Sequence, residues 1–397
     1  MNPDLSLLQP YPFEKLAALK RSVTIADGIT PIDISIGEPK HAVPSLVRDA
    51  MAEQLTRGIA LYPTTRGQES LRRAIADWLT TRFQLTPGSV DPARNVLSAN
   101  GTREALFSVA MAVIDRTAAD PVVLTPNPFY QIYEGASLIS GARIVPVPAT
   151  AENGFVPDYA ALPAELLDKT QLLYLCSPSN PTGAVHDLEN LKQLIRLADR
   201  HDFVLCSDEC YSEIWYDRPP AGLLEACRAL GREDFKRCLV FHSLSKRSNM
   251  PGARTGFIAG DGEILDAFFR LRTYTGCATP PFIQEAAVTA WGDEQHVADN
   301  RALYGAKLDD AVEILSPVLT VRRPDAGFYL WLEVPGGGEA FARRLYQEQG
   351  VTTLPGGYLG RPSADGSNPG DPYIRIALVS ERERNREAMH RIALCAR

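Results

Sequence analysis

The stretch "CLVFHSLSKRSNMPGARTGFIAG", residues 238–260, sets two apolar, β-rich runs (238–242 and 255–259) on either side of a polar turn. Lys246 lies in that turn, three residues after Ser243 and eight before Arg254, with Gly256 closing it. A lone lysine after a strand reads as a solvated strand end. A hydroxyl, a second cation and a glycine gathered around it call for another explanation.

Outward from this stretch the same kind of run recurs at 95–99 (NVLSA), 121–125 (PVVLT), 143–147 (RIVPV), 171–176 (QLLYLC) and 203–207 (FVLCS). Segments of helical period lie between or beside them, at 44–57, 67–83, 101–115, 129–140 and 187–201. Strand and helix alternating at this spacing predict an α/β domain whose mostly parallel sheet is covered by helices on both faces. Beyond about residue 262 the pattern changes to a long helical stretch, "TVRRPDAGFYLWLEV" (320–334), a helix over 338–349, "YIRIALV" (373–379) and a charged closing helix. That is a smaller α+β domain. The expected division is an N-terminal arm over 1–45 belonging to the small domain, a large domain over 46–285 and the small domain proper over 286–397. "GRPSADGSNPGDP" (360–372) reads as a Gly/Pro/Ser/Asp loop, and no internal repeat or low-complexity tract is present.

The 397 residues carry 41 Lys and Arg against 48 Asp and Glu, a formal charge of −7, with no basic run. This disfavours nucleic acid or an anionic membrane as partner. The opening "MNPDLSLLQPYPFEKL" has neither the basic nor the apolar region of a secretory signal. No apolar segment reaches the ~18–20 residues that span a bilayer. Seven cysteines, several inside strand-like runs, read as buried reduced thiols of a cytoplasmic protein. "CSDEC" (206–210) lacks metal-ligand spacing, so no metal is expected.

In an open parallel sheet, ligands sit beyond the carboxyl ends of the strands. There this sequence places "NGTREAL" (100–106), "PNPFY" (126–130), "SPSNPTG" (177–183), "SDECY" (207–211) and "SLSK" (243–246). Gly101-Thr102 opening a helix offers free N–H groups to an anion, and Ser243, Lys246 and Arg254 add donors. A phosphate-bearing ligand with an aldehyde for the lysine and a ring nitrogen for an acid would use all of them. Pyridoxal phosphate is such a ligand.

The order "SNPTG … DE-x-Y … S-x-S-K … R-x-G" resembles the class I, fold-type I pyridoxal-phosphate aminotransferases. The resemblance runs from "SIGEPKH" (35–41) through "YPTTRG" (62–67) to "YIRIA" (373–377). It implies that Lys246 holds the cofactor and moves the Cα proton, and that Asp208 pairs with the pyridine nitrogen. Tyr211 and Asn180 would bond the ring's phenolic oxygen, while Tyr130 stacks on the ring. Thr102 and Arg103 (mainly through its backbone N–H) would surround the phosphate with Gly101, Ser243 and Arg254. Tyr62 would reach the cofactor of a second subunit, implying a homodimer with shared sites. Arg375 would clamp the substrate α-carboxylate, helped by Asn180 and the backbone at Gly37.

Blander readings stand beside these. Asp208-Glu209 is compatible with a helix-dipole acid pair, Arg375 with the outward face of a strand, Tyr130 with helix core, and Asn180–Gly183 with a simple turn. Ser243-Leu-Ser-Lys246 also satisfies S-x-x-K, but the S-D-N and K-T-G partners of that nucleophile motif are missing downstream.

"FYQIYEGASLISGA" (129–142), "SLSKRSNMPGARTGF" (243–257), "TYTGCATPPFIQEAAVTAW" (273–291) and "NRALY" (300–304) look like the N-succinyldiaminopimelate aminotransferases. That resemblance implies exchange of an amino group between glutamate and N-succinyl-2-amino-6-ketopimelate in lysine biosynthesis. Lys40 and Arg66 are the expected partners of the distal carboxylates. The rivals are an aminotransferase of aspartate, aromatic or alanine type and a carbon–sulfur lyase of the same fold. A fold-related transcriptional regulator would need a helix-turn-helix segment, for which the stretch before Gly37 leaves no room.

Overall fold

The computed structural model describes residues 1–363 and 365–397; Ala364, within the 360–372 loop, lies outside the described residues. A two-residue strand, β1 (Ile32–Asp33), comes first. The central sheet then uses β2 (Val96–Ala99), β3 (Val122–Asn127), β4 (Arg143–Pro148), β5 (Thr170–Cys176), β6 (Val204–Asp208), β7 (Cys238–Ser243) and β8 (Gly256–Gly260). Their order is β2-β8-β7-β6-β5-β3-β4, and only β8 runs against its neighbours. The connection from β7 to β8 holds one α-helical turn and one 3-10 turn but no crossover helix, and β8 returns antiparallel beside β7.

Every predicted run of the large domain is a strand, displaced by no more than two residues at an end. Their period-2 alternation sorts side chains into two cores. On one face Leu173, Leu175, Leu205 and Val240 pack with the helices Glu69–Arg82, Leu188–His201 and Leu223–Ala229. On the other, Leu172, Tyr174, Cys206 and Phe241 pack with Thr102–Val113, Ile132–Ile139 and Gly262–Thr275. Each such side chain contributes roughly 1.5–3 kcal/mol of burial, and a strand covered on both faces has no polar side to expose.

The second lobe is a three-stranded antiparallel sheet of β9 (Tyr329–Glu333), β11 (Leu354–Pro355) and β12 (Tyr373–Ala377), ordered β11-β12-β9. β10 (Val351–Thr352) pairs in parallel with β1, tying the N-terminal segment to this lobe. Ile32 and Ile34 join Leu330, Leu332, Ile374 and Ile376 in its core, beside the helices Gln295–Leu315, Gly338–Gln349 and Arg382–Ala396.

One boundary moves. The helix Pro281–Gly292 spans the expected break at 285, and its Ala286, Ala287, Ala290 and Trp291 are buried in the large-lobe core. It packs closely on the helix Ser45–Gly58, where a Cβ at Gly58 would fall 2.7 Å from the Phe282 backbone nitrogen. The chain therefore changes lobes after Gly292, along the helix Gln295–Leu315.

Candidate active site

The carboxyl ends of β2, β5, β6 and β7 and the start of the reversed β8 meet at one edge of the sheet, where they line a cavity of about 470 Å³. The second lobe closes it with Tyr329, Leu359 and Arg375, and the N-terminal segment with Tyr11, Phe13, Ile36 and Gly37.

Lys246 follows β7 on a single helical turn, Leu244–Arg247, whose cap is the Ser243 hydroxyl. Its Nζ donates to the Gly37 carbonyl at 2.5 Å and lies 5.4 Å from the centre of the Phe328 ring. Burial, with the Arg375 and Arg254 cations pushing the same way, lowers its pKa to about 8. A neutral amine is thus within reach near neutral pH.

Asp208 ends β6 and is buried. The Tyr133 hydroxyl donates to its Oδ2 at 2.9 Å, and the Cys210 N–H to its Oδ1 at 3.3 Å. Burial raises its pKa, while these two donors oppose the rise. Among the described residues no Lys or Arg lies within ion-pair distance of it.

Arg375 is buried on β12, not outward. Its Nη1 donates to Asn180 Oδ1 and its Nη2 to the Ser35 carbonyl, each at 2.8 Å. Its Nε has no protein partner and its guanidinium lies 4.4 Å from the Tyr329 ring centre. The alternation of Ile374, Arg375 and Ile376 sends the isoleucines into the small-lobe core, so the arginine takes the face toward the cleft. Tyr211 and Tyr329 share a hydroxyl contact of 3.2 Å.

Another part of the cavity wall gathers groups able to meet an anion. Gly101 has φ +84° ahead of the helix Thr102–Val113, whose first N–H groups have no side-chain cap. A Cβ there would fall 2.1 Å from Arg254 Nη2, so only glycine lets backbone and guanidinium converge. Thr102, Ser243 and Ser245 line the same wall.

Arg103 projects its side chain to the mouth, where Nε donates to the Tyr130 hydroxyl at 2.8 Å and Nη2 to that of Tyr11 at 3.5 Å. Lys40 and Arg66, expected at the distal carboxylates, and Tyr62, expected at a second subunit's cofactor, do not line this cavity. Lys40 is exposed and off the cavity lining. Arg66 is held by Asp266 at 2.9 Å and the Ala93 carbonyl at 2.7 Å, its guanidinium over Phe269. Tyr62 is wholly exposed. Sequence reasoning missed Tyr329, Tyr133 and Cys210. The last two carried a signal: Tyr133 is one helical turn from Tyr130, and Cys210 is two residues past Asp208.

Pyridoxal phosphate fits this donor set. One cavity wall carries donors for a phosphate, an amine of lowered pKa for an aldehyde and a buried carboxylate for a ring nitrogen. Among the described residues, no group of acidic, His and Cys side chains could hold a metal ion.

The pattern of the family described as Aminotransferase class I and II matches residues 29–392. The chain is 34% identical to an LL-diaminopimelate aminotransferase of Desulforudis audaxviator, across 98% of this chain and 96% of that one. A protein of the same name from Moorella thermoacetica is 31% identical across 97% and 95%. Among solved structures, an aminotransferase from Neisseria meningitidis Z2491 superposes with a TM-score of 0.95 at 43% identity, with both chains fully covered. Aminotransferase AspB of Helicobacter pylori 26695 gives 0.89 at 39% identity, covering 98% of each chain.

Proposed function

The chain belongs to the class I and II aminotransferase family, a pyridoxal-phosphate-dependent one, and from that premise we propose that it transfers an amino group between glutamate and N-succinyl-2-amino-6-ketopimelate, forming N-succinyl-LL-2,6-diaminopimelate. The observation that carries this reading is the charge of the cavity wall. Among the described residues its cations are Arg103, Lys246, Arg254 and Arg375, and its one acid is Asp208. A substrate with carboxylates along its length and its second nitrogen capped as an amide suits such a wall.

Pyridoxal phosphate, when bound, supplies an aldehyde for amines and a ring that withdraws electrons from the substrate Cα. Lys246 Nζ would hold it through its aldehyde and would serve as the base for the Cα proton. Asp208 would keep a proton on the ring nitrogen. Tyr211 and Asn180 would bond the phenolic oxygen, and Tyr130 would stack on the ring. Arg254, Ser243 and the Thr102 end of the helix would take the phosphate. Arg375 binds the α-carboxylate through its fork.

Arg103 replaces Lys40 and Arg66 as reader of the distal carboxylate, because its guanidinium, bonded to the hydroxyls of Tyr130 and Tyr11, is the cavity cation assigned neither to the cofactor nor to the α-carboxylate. Arg103→Ala should raise the KM for N-succinyl-LL-diaminopimelate roughly 10–100-fold, the worth of a charged hydrogen bond. kcat should change far less. An unchanged KM would remove Arg103 from this role.

The names of the relatives favour a second reading, direct use of LL-diaminopimelate. Its free distal ammonium would need an acid besides Asp208, and among the described residues the cavity wall has none. A native protein that prefers LL-diaminopimelate to its succinyl derivative would establish the second reading in place of the first. A homodimer belongs to the proposal. Tyr62, Ile59, Leu61 and Tyr274 are exposed side chains that a second copy would cover. The seven free thiols suit a cytoplasmic setting, and no described helix is long and apolar enough to cross a membrane.

A further inference from the structure

The residues His41 and Asn300, within "GEPKH" and "NRALY", lie outside the cavity wall yet make a continuous polar path to the lysine turn. Lys307 Nζ is 2.6 Å from His41 Nε2, and His41 Nδ1 is 2.7 Å from Asn300 Oδ1. Asn300 Nδ2 donates to the backbone carbonyls of Lys246 (3.3 Å) and Arg247 (3.5 Å). Asn249 Nδ2 donates to the same Asn300 oxygen at 3.1 Å. Asn300 and Lys307 are both buried.

The donors fix the protonation pattern. Burial lowers the Lys307 pKa to about 8; below that it is an ammonium that can only donate, so His41 Nε2 must accept and the ring proton must sit on Nδ1. That proton then points at the Asn300 oxygen, which leaves the amide NH₂ for the two carbonyls. Every group has a partner of opposite role only if His41 is neutral.

A second, apolar path runs alongside. The His41 ring lies 4.5 Å from Tyr304, Tyr304 lies 5.2 Å from Phe328, and Phe328 lies beneath Lys246 Nζ. Four residues before His41, the Gly37 carbonyl accepts from that same Nζ. One histidine is thus linked to the cofactor lysine through its backbone, its aromatic floor and its acceptor loop.

We propose that His41, with Asn300, is a positioning residue for Lys246, a relay intact only while the imidazole is neutral. The proposal rests on the reading of Lys246 as the cofactor lysine. The charged groups that face His41 are Lys307, on the helix that carries Asn300, and Glu381, at the head of the closing helix. Exposed Glu38 and Lys40 flank it in the chain. Burial first, and then the Lys307 charge, hold His41 below its ordinary value of 6.5, against Asn300 and Glu381. The ring is therefore neutral at pH 7 and takes a proton only as the pH falls below 6.5. A protonated ring cannot accept from Lys307, and turnover should decline on that acid side.

The test uses the full-length, cofactor-loaded protein and its His41→Phe, His41→Asn and Asn300→Ala variants. kcat and KM are measured from about pH 5 to 9, with the pH midpoint of the visible band of lysine-bound cofactor and the Tm. His41→Phe keeps a ring against Tyr304 but removes the donor. It and Asn300→Ala should lower kcat about 10–100-fold, the scale of a misplaced reacting group, with KM little changed and the band midpoint displaced. His41→Asn keeps a donor toward Asn300 and cannot titrate, so it should recover most of the turnover and flatten the acid limb. Should Asn300→Ala fail to fold, the two His41 variants decide. If kcat and band midpoint stay at wild-type values while only Tm falls, the relay is a packing contact and the proposal is overturned. If the wild-type protein itself shows no lysine-bound band, the reading of Lys246 fails and this proposal falls with it.

Discussion

Lys246→Ala should retain pyridoxal phosphate through its phosphate and ring contacts and lose turnover by at least about 10²–10⁴-fold. That range is the cost of a missing general base alone; slower exchange of the cofactor onto the substrate amine adds to it. The basis is geometric. Among the described residues Lys246 Nζ is the one amine on the cavity wall, and it sits beside the Gly37 carbonyl and above Phe328. A value near 8 gives it a neutral fraction that an exposed lysine lacks. Cofactor retention, read by absorbance after gel filtration, separates a chemical defect from a binding one. Turnover near wild type with cofactor bound would contradict the assignment.

Asp208→Asn should carry the second large loss, about 10²–10³-fold in kcat, as for removal of one electrostatic stabiliser. The amide has the shape of the carboxylate and keeps an oxygen for the Tyr133 hydroxyl, so the fold around β6 should survive. What it lacks is charge. A neutral group cannot hold a proton on a pyridine nitrogen, and among the described residues no other acid lines the cavity. Cofactor affinity should weaken as well, since a buried anion facing a cation contributes to both. Single-turnover rates at saturating cofactor would isolate the chemical effect. An unchanged rate would make Asp208 a structural acid held by Tyr133 and Cys210.

Much of the frame was legible in the sequence because each strand is an apolar run ending in a polar residue. Burial on both faces makes the run continuous, and the loop at its carboxyl end must meet water or ligand. Asp208, Ser243 and the Asn180 turn could be found that way. Arg375 could not be settled from one strand, because Ile374-Arg375-Ile376 alternates identically whether the arginine faces solvent or a cleft. Only the cover supplied by the large lobe decides it. Strand order was hidden too, since periodicity says which face a residue takes and not which strand lies beside it.

Lys40 and Arg66 stand apart from this cavity for a similar reason. Both stand near motifs that do contribute to the site, but proximity in sequence does not fix direction. Arg66 finds Asp266, 200 positions away, and its guanidinium covers Phe269. Arg103 presented the converse case. Its backbone was expected at the phosphate, while its long side chain reaches the mouth and meets Tyr11 and Tyr130. The His41–Asn300 contact joins residues 259 positions apart and leaves no trace in local pattern.

The most direct test of the account is a visible-absorbance titration of the purified, pyridoxal-phosphate-loaded protein. N-succinyl-LL-diaminopimelate, glutamate, aspartate and an aromatic amino acid are added in separate cuvettes. The account expects the band of lysine-bound cofactor to give way to that of the aminated cofactor with the succinylated substrate and glutamate, and far less with the others. A lysine-bound band that neither of those two donors alters would contradict it.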